Sequence, residues 1–149
     1  MGPLVCCGGT GLALLAGLAG GFWMVGVASM KAVVLFAHGS RDPQWHKPIQ
    51  AVAQRMASTT PEVLVRCAYL ELTEPDLLTV VAELAQAGVN HVRVLPMFLG
   101  VGKHAREDLP LLMAQLREQH PNILLDAQPA VGEQPELLDL LAQLALRGL

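Results

Sequence analysis

From residue 31 onward, polar and apolar positions alternate between two periods. Residues 32–37, AVVLFA, are an uncharged run without polar alternation, the pattern of a strand buried on both faces of a parallel sheet. It stops at His38-Gly39-Ser40-Arg41-Asp42-Pro43. From Pro43 to about Thr59 the apolar residues Ile49, Val52, Ala53 and Met56 fall at helical spacing. Thr59-Thr60-Pro61 ends that helix. Residues 62–70, EVLVRCAYL, read as the second strand and 71–74 as its exit loop. Thr73 is the expected cap of the second helix, with Pro75 in its first turn and Asp76 three residues on. That helix runs to about Ala87, where Gly88 stops it.

The same two periods return twice more. Residues 91–99, HVRVLPMFL, are the third strand, with Pro96 marking where its ladder gives out. Residues 100–104 form the next exit loop. A third helix is expected over 106–119, capped by Asp108 or a neighbour, with Pro110 early. His120-Pro121-Asn122 is a turn, and 123–128 the fourth strand. Residues 134–146 form the last helix, with Leu137, Leu138, Leu141 and Leu144 on one face. The order βαβαβαβα predicts an α/β domain with a four-stranded parallel sheet, helices on both faces and right-handed crossovers. Residues 30–149 show no linker, tandem repeat or second domain.

Residues 1–29 break this pattern, because they carry no charged side chain. The stretch 11–28 approaches the lower length limit of a membrane span, about 17 residues. Three readings compete. A membrane anchor lacks a flanking Lys or Arg to set its topology. A signal peptide fits the small residues Val27-Ala28-Ser29 but lacks a charged start. Translation from Met30 is the favoured reading, since Met30-Lys31 leads straight into the first strand. A membrane partner is expected only if the segment is a real anchor. The glycines here do not form a dinucleotide fingerprint: Gly9-x-Gly11 has no Gly at 14 and follows no strand.

Charge and cysteine content narrow the function classes. The formal net charge of −3 over 149 residues gives no reason to expect nucleic-acid binding. Three cysteines, Cys6, Cys7 and Cys67, make neither a disulfide framework nor a paired CxxC, so a reducing, cytoplasmic location is expected. Gly102-Lys103 is followed by His rather than Ser or Thr, which excludes a phosphate loop. No Gly-x-Ser-x-Gly elbow is present.

The chemistry concentrates at the strand exits, where parallel sheets bind ligands. His38, Glu71 and His104 follow three successive strands, 33 residues apart each time. Two imidazoles and a carboxylate facing one crevice are a familiar ligand set for a divalent first-row metal with open positions. The same groups accept protons near neutral pH. Arg41, Lys103 and Arg106 cluster at this edge, so a polyanionic ligand is expected. His46, His91 and His120 read as surface or turn residues, Cys67 as a small buried hydrophobe, and Arg66 and Arg93 as strand residues snorkelling to solvent.

The segments VLFAHGSRDP, YLELTEPDL and VRVLPMFLGVGKHAREDLP together resemble the short, single-domain class II chelatases of the CbiX/SirB type, the sirohydrochlorin cobaltochelatases and ferrochelatases. The resemblance covers about residues 31–145; residues 1–29 have no counterpart in the usual short form. It implies a three-layer chelatase-like domain that inserts Co²⁺ or Fe²⁺, with Ni²⁺ also conceivable, into sirohydrochlorin without ATP or an organic cofactor. It implies a homodimer with a shared cavity. His38 and His104 match the family's metal-handling histidines and Glu71 its accompanying carboxylate, as metal ligands and catalytic groups. Ser40, Arg41, Leu72, Phe98, Lys103 and Arg106 are the expected substrate contacts. A non-catalytic metal or tetrapyrrole carrier on the same fold is the alternative.

Overall fold

The computed structural model describes residues 29–100 and 102–149, with backbone alone at 103–105. The strands are β1 (Lys31–Ala37), β2 (Val63–Tyr69), β3 (His91–Pro96) and β4 (Leu124–Ala127). The helices are α1 (His46–Thr59), α2 (Leu77–Gln86), α3 (Lys103–Gln119) and α4 (Pro135–Leu146). Short 3-10 turns, Pro43–Trp45 and Val131–Glu133, precede α1 and α4. All pairings are parallel, in the order β2-β1-β3-β4. The chain therefore leaves β1 towards one edge and returns past it to β3, which makes the β1 carboxyl end a topological switch point.

The uncharged run does lie in the middle of the sheet. Val34 and Leu35 are 0% exposed and Phe36 1%, which only a strand with neighbours on both edges and cover on both faces achieves. Ala32, Val34 and Phe36 join Val92, Val94 and Leu125 against α2 and α3. Leu35 faces the other way, onto Ile49 of α1 and Tyr69, with Val52 and Met56 closing the edge. Fully burying one such aliphatic side chain stabilises by about 1.5–3 kcal/mol, so this strand carries a large share of the fold. By contrast α4 packs chiefly on the Val131–Glu133 turn, and Leu138, Leu140, Leu141, Leu144 and Leu146 are exposed.

Two helix starts differ from expectation. The α2 cap is Asp76, whose carboxylate accepts from the Thr79 N–H at 2.7 Å; Thr73 and Pro75 lie before the helix. The reason is tertiary: the Pro75 carbonyl accepts from the Tyr69 N–H at 3.0 Å, so this stretch is used to strap the end of β2. Helix α3 begins at Lys103 rather than near Arg106, with Gly102 as its cap and no side-chain bond. The Arg106 N–H reaches the Gly102 carbonyl at 3.2 Å, closing a turn ahead of the acidic residues expected to cap it. Pro110 consequently lies inside the helix. Strand β3 ends at Pro96, leaving 97–99 as loop.

Arg93 and Asp126 are register partners on β3 and β4. Their side chains form a bidentate pair at 2.9 and 2.8 Å. His91 Nε2 approaches the same carboxylate at 3.2 Å. Arg93 and His91 are thus partners of Asp126, not a snorkelling cation and a lone surface ring. The Arg93 hydrogen bonds hold the Asp126 carboxyl below the usual carboxylate range, against a smaller opposing effect of burial. A depressed carboxyl contributes stability above its unfolded value that is lost as pH falls through its folded one. Asp126→Asn should therefore melt a few degrees below wild type at pH 7, and the gap should close in acid, below about pH 4. Thermal melts of both proteins across that range check this; a gap independent of pH would show that the charge is not what matters.

Candidate functional site at the carboxyl end of the sheet

The ends of β1, β2 and β3 are held together by backbone bonds beyond the last paired residues. The Leu70 N–H donates to the Ala37 carbonyl at 2.8 Å and the Glu71 N–H to the His38 carbonyl at 3.0 Å. On the other side the Met97 N–H donates to the Phe36 carbonyl at 2.7 Å. His38 and Glu71 are therefore neighbours across the extended β1–β2 ladder. Gly39 makes this approach possible. Its φ is +90°, and an added Cβ would run into the Glu71 carbonyl, so both conformation and space require glycine. Gly132 does the same at β3: its N–H donates to the Phe98 carbonyl at 2.9 Å, and a Cβ there would meet the Leu99 backbone.

His38 is exposed, and its ring rests on Phe98 with centroids 4.3 Å apart at 42°. Phe98 is itself buried, at 3% exposure, and edge-on to Phe36 at 5.8 Å. Phe98 thus supports the imidazole from the core, and its neighbour Leu99, 66% exposed, meets solvent instead. Glu71 is exposed, and Leu72 beside it is 56% exposed with φ 65°. Ser40 Oγ accepts from the Asp42 N–H at 3.0 Å, so that hydroxyl shapes the turn. Arg41 is exposed and makes no ion pair among the described residues. Lys103 and His104 lie in the first turn of α3, after the β3 exit loop; their side chains are outside the described residues. Arg106 lines a small cavity of about 150 Å³ with Phe98, Pro110 and Glu133, apart from the cavity that His38 lines. Among the described residues no three His, Cys, Asp or Glu side chains are grouped to hold a metal ion.

The exposed His38 ring borders an apolar cavity of about 370 Å³ between the strand ends and α1. Ala37, Tyr69, Met97 and Leu99 supply its strand side; Trp45, His46, Pro48, Ile49 and Val52 supply its helix side. His46, expected at the surface, is half-buried: Nε2 lies 3.0 Å from the Ser40 carbonyl, and the ring stacks on Tyr69 at 4.8 Å. Trp45 and Tyr69 were not anticipated as cavity residues. The available signal was Asp42-Pro43, a turn start that folds Trp45 and His46 back over the strand end. Burial raises the Tyr69 phenol, with help from Cys67, and burial raises the Cys67 thiol as well, so both stay protonated near neutral pH.

An α/β domain with an apolar cavity and an exposed imidazole at its topological switch point has the usual geometry of a small-molecule site. The CbiX family model matches residues 32–147, and the chain belongs to that family. It is 33% identical over 84 residues to the sirohydrochlorin cobaltochelatase of Methanopyrus kandleri. That alignment spans 56% of this chain and 59% of the relative's length. The fold superposes with TM-score 0.68 on a cobalamin (vitamin B12) biosynthesis CbiX protein from Marinobacter aquaeolei VT8, at 29% identity, covering 77% of this chain and 93% of that one. The sirohydrochlorin chelatase SirB from Bacillus subtilis subspecies spizizenii, solved with cobalt, matches at TM-score 0.62 and 25% identity, covering 74% of this chain and 47% of SirB. Among the described residues no helix is long and apolar enough to cross a membrane; residues 11–28 lie outside them.

Gly39→Ala tests how far the site depends on the β1–β2 clamp. It should cost at least about 1 kcal/mol from the left-handed backbone alone, and more from the Glu71 carbonyl. Denaturant melts should show that loss; a variant as stable as wild type would mean the two exits can separate freely.

Proposed function

We propose that this chain inserts a divalent metal, Co²⁺ or Fe²⁺, into sirohydrochlorin without ATP. One observation carries the reading: an exposed histidine, its carbonyl bonded to the Glu71 N–H at the next strand exit, borders an apolar cavity at the switch point of a CbiX-family domain. Its cobaltochelatase and cobalt-complexed SirB relatives support the choice of metal and macrocycle.

Metallation exchanges one M²⁺ for the two protons on the macrocycle's pyrrole nitrogens. The His38 imidazole can accept a proton or hold a partly dehydrated metal through a ring nitrogen, and Phe98 beneath the ring limits how it turns. His104 supplies the second such group from the first turn of α3. Glu71 offsets the metal's charge or orients an imidazole. The macrocycle's carboxylates find cations in Arg41 and Lys103, with Arg106 reached from the α3 side. Its flat body lies against Leu72, Leu99 and the cavity mouth. In water an open cavity would leave one face of the macrocycle exposed, whereas bound ligands usually lose about 70–90% of their surface. A second copy facing the same sheet end would supply the other wall, so we propose a two-fold homodimer.

A steady-state assay following macrocycle absorbance with each metal tests the activity. His38→Ala and His104→Ala should each lower turnover at least about 100-fold, the usual scale of general acid–base catalysis, with circular dichroism unchanged. Glu71→Gln should show a smaller loss that depends on the metal. Binding of macrocycle and metal without turnover would identify a carrier instead. Light scattering of the full chain should give a dimer, alone or once sirohydrochlorin is added; a monomer turning over at full rate would exclude the shared cavity.

A further inference from the structure

Trp45 is 71% exposed although it lines the His38 cavity. The residue borders the cavity, and most of its surface faces water. A tryptophan left open at the mouth of an apolar site is an unused stacking surface. Its backbone is held on both sides. Before it, Asp42 accepts from the Gln44 N–H at 2.9 Å, and the Trp45 N–H donates to the Asp42 carbonyl at 3.1 Å. After it, His46 is fixed between the Ser40 carbonyl and the Tyr69 ring. The indole therefore projects from a built platform rather than from a loose loop.

Size and shape decide what the indole meets. A cavity of about 370 Å³ lies near the lower end of small-ligand pockets, about 300–1,000 Å³. A tetrapyrrole with many carboxylated side chains is larger than this cavity can enclose. Much of it must lie across the rim, where Trp45 stands on the α1 side and Leu72 and Leu99 are exposed at the strand exits. Of these only Trp45 offers a broad π face.

We propose that Trp45 is a specificity-determining residue, stacking on the macrocycle at the cavity rim and setting its tilt and distance over His38. This rests on the chelatase reading. The test titrates metal-free sirohydrochlorin into the full chain while following tryptophan emission. Trp45→Phe leaves Trp23 as the single remaining tryptophan of the two, so the difference from wild type isolates Trp45. The isolated emission should be quenched along the same saturation curve that turnover follows. Trp45→Ala should raise KM about tenfold, with kcat changed less and melting temperature unchanged, and Trp45→Phe should recover most of the affinity. Unquenched emission, or wild-type KM in Trp45→Ala while His38→Ala is inactive, would overturn the stacking role and leave the chelatase reading standing. A wild-type protein that neither binds nor metallates sirohydrochlorin would overturn that reading and this inference with it. If Trp45→Ala fails to fold, the emission titration and the Trp45→Phe kinetics decide the question.

Discussion

The middle of strand β1 has no solvent face, and the rest of the domain follows from that constraint. Val34, Leu35 and Phe36 bury successive side chains on opposite sides of the sheet. Both faces therefore need helices, and both edges need strands. Helix α1 answers on one face, α2 and α3 on the other; β2 and β3 pair along the edges. A strand so enclosed can meet a ligand only where it ends. The first residue past that end is His38, and its ring stands on Phe98, which is anchored in the same core.

The exit geometry is set by backbone more than by side chains. The ladder between β1 and β2 continues past both strands until Glu71 pairs with His38, and the left-handed Gly39 lets the chain turn away without striking Glu71. Gly132 brings the turn before α4 equally close to the β3 exit. Neither glycine contributes chemistry. Each removes a Cβ where two backbones must touch, and so decides how near the strand exits come.

The largely apolar lining of the cavity complements this. Burial keeps the Tyr69 phenol and Cys67 thiol protonated near neutral pH. Free cationic charge is carried outside the cavity, as at Arg41. A ligand with an apolar centre and anionic edges matches that division, since its centre loses water against apolar groups and its edges keep charged partners.

Periodicity alone determined the βαβαβαβα order and β1 as a strand buried on both faces, because apolar spacing follows directly from which faces must be dry. The HGSRDP and GKHARED segments made the family legible as well. Tertiary structure decided what local pattern cannot express. Asp76 rather than Thr73 caps α2 because the Pro75 carbonyl is already bonded to Tyr69. Phe98 sits under His38 rather than in the open wall because β3 ends at Pro96 and its exit turns inward. Trp45, His46 and Tyr69 share one cavity although β2 and α1 are separate in sequence, and Arg93 finds Asp126 only through strand register. A one-dimensional pattern records which residues must be buried, but which of them meet depends on chain returns that place distant segments side by side.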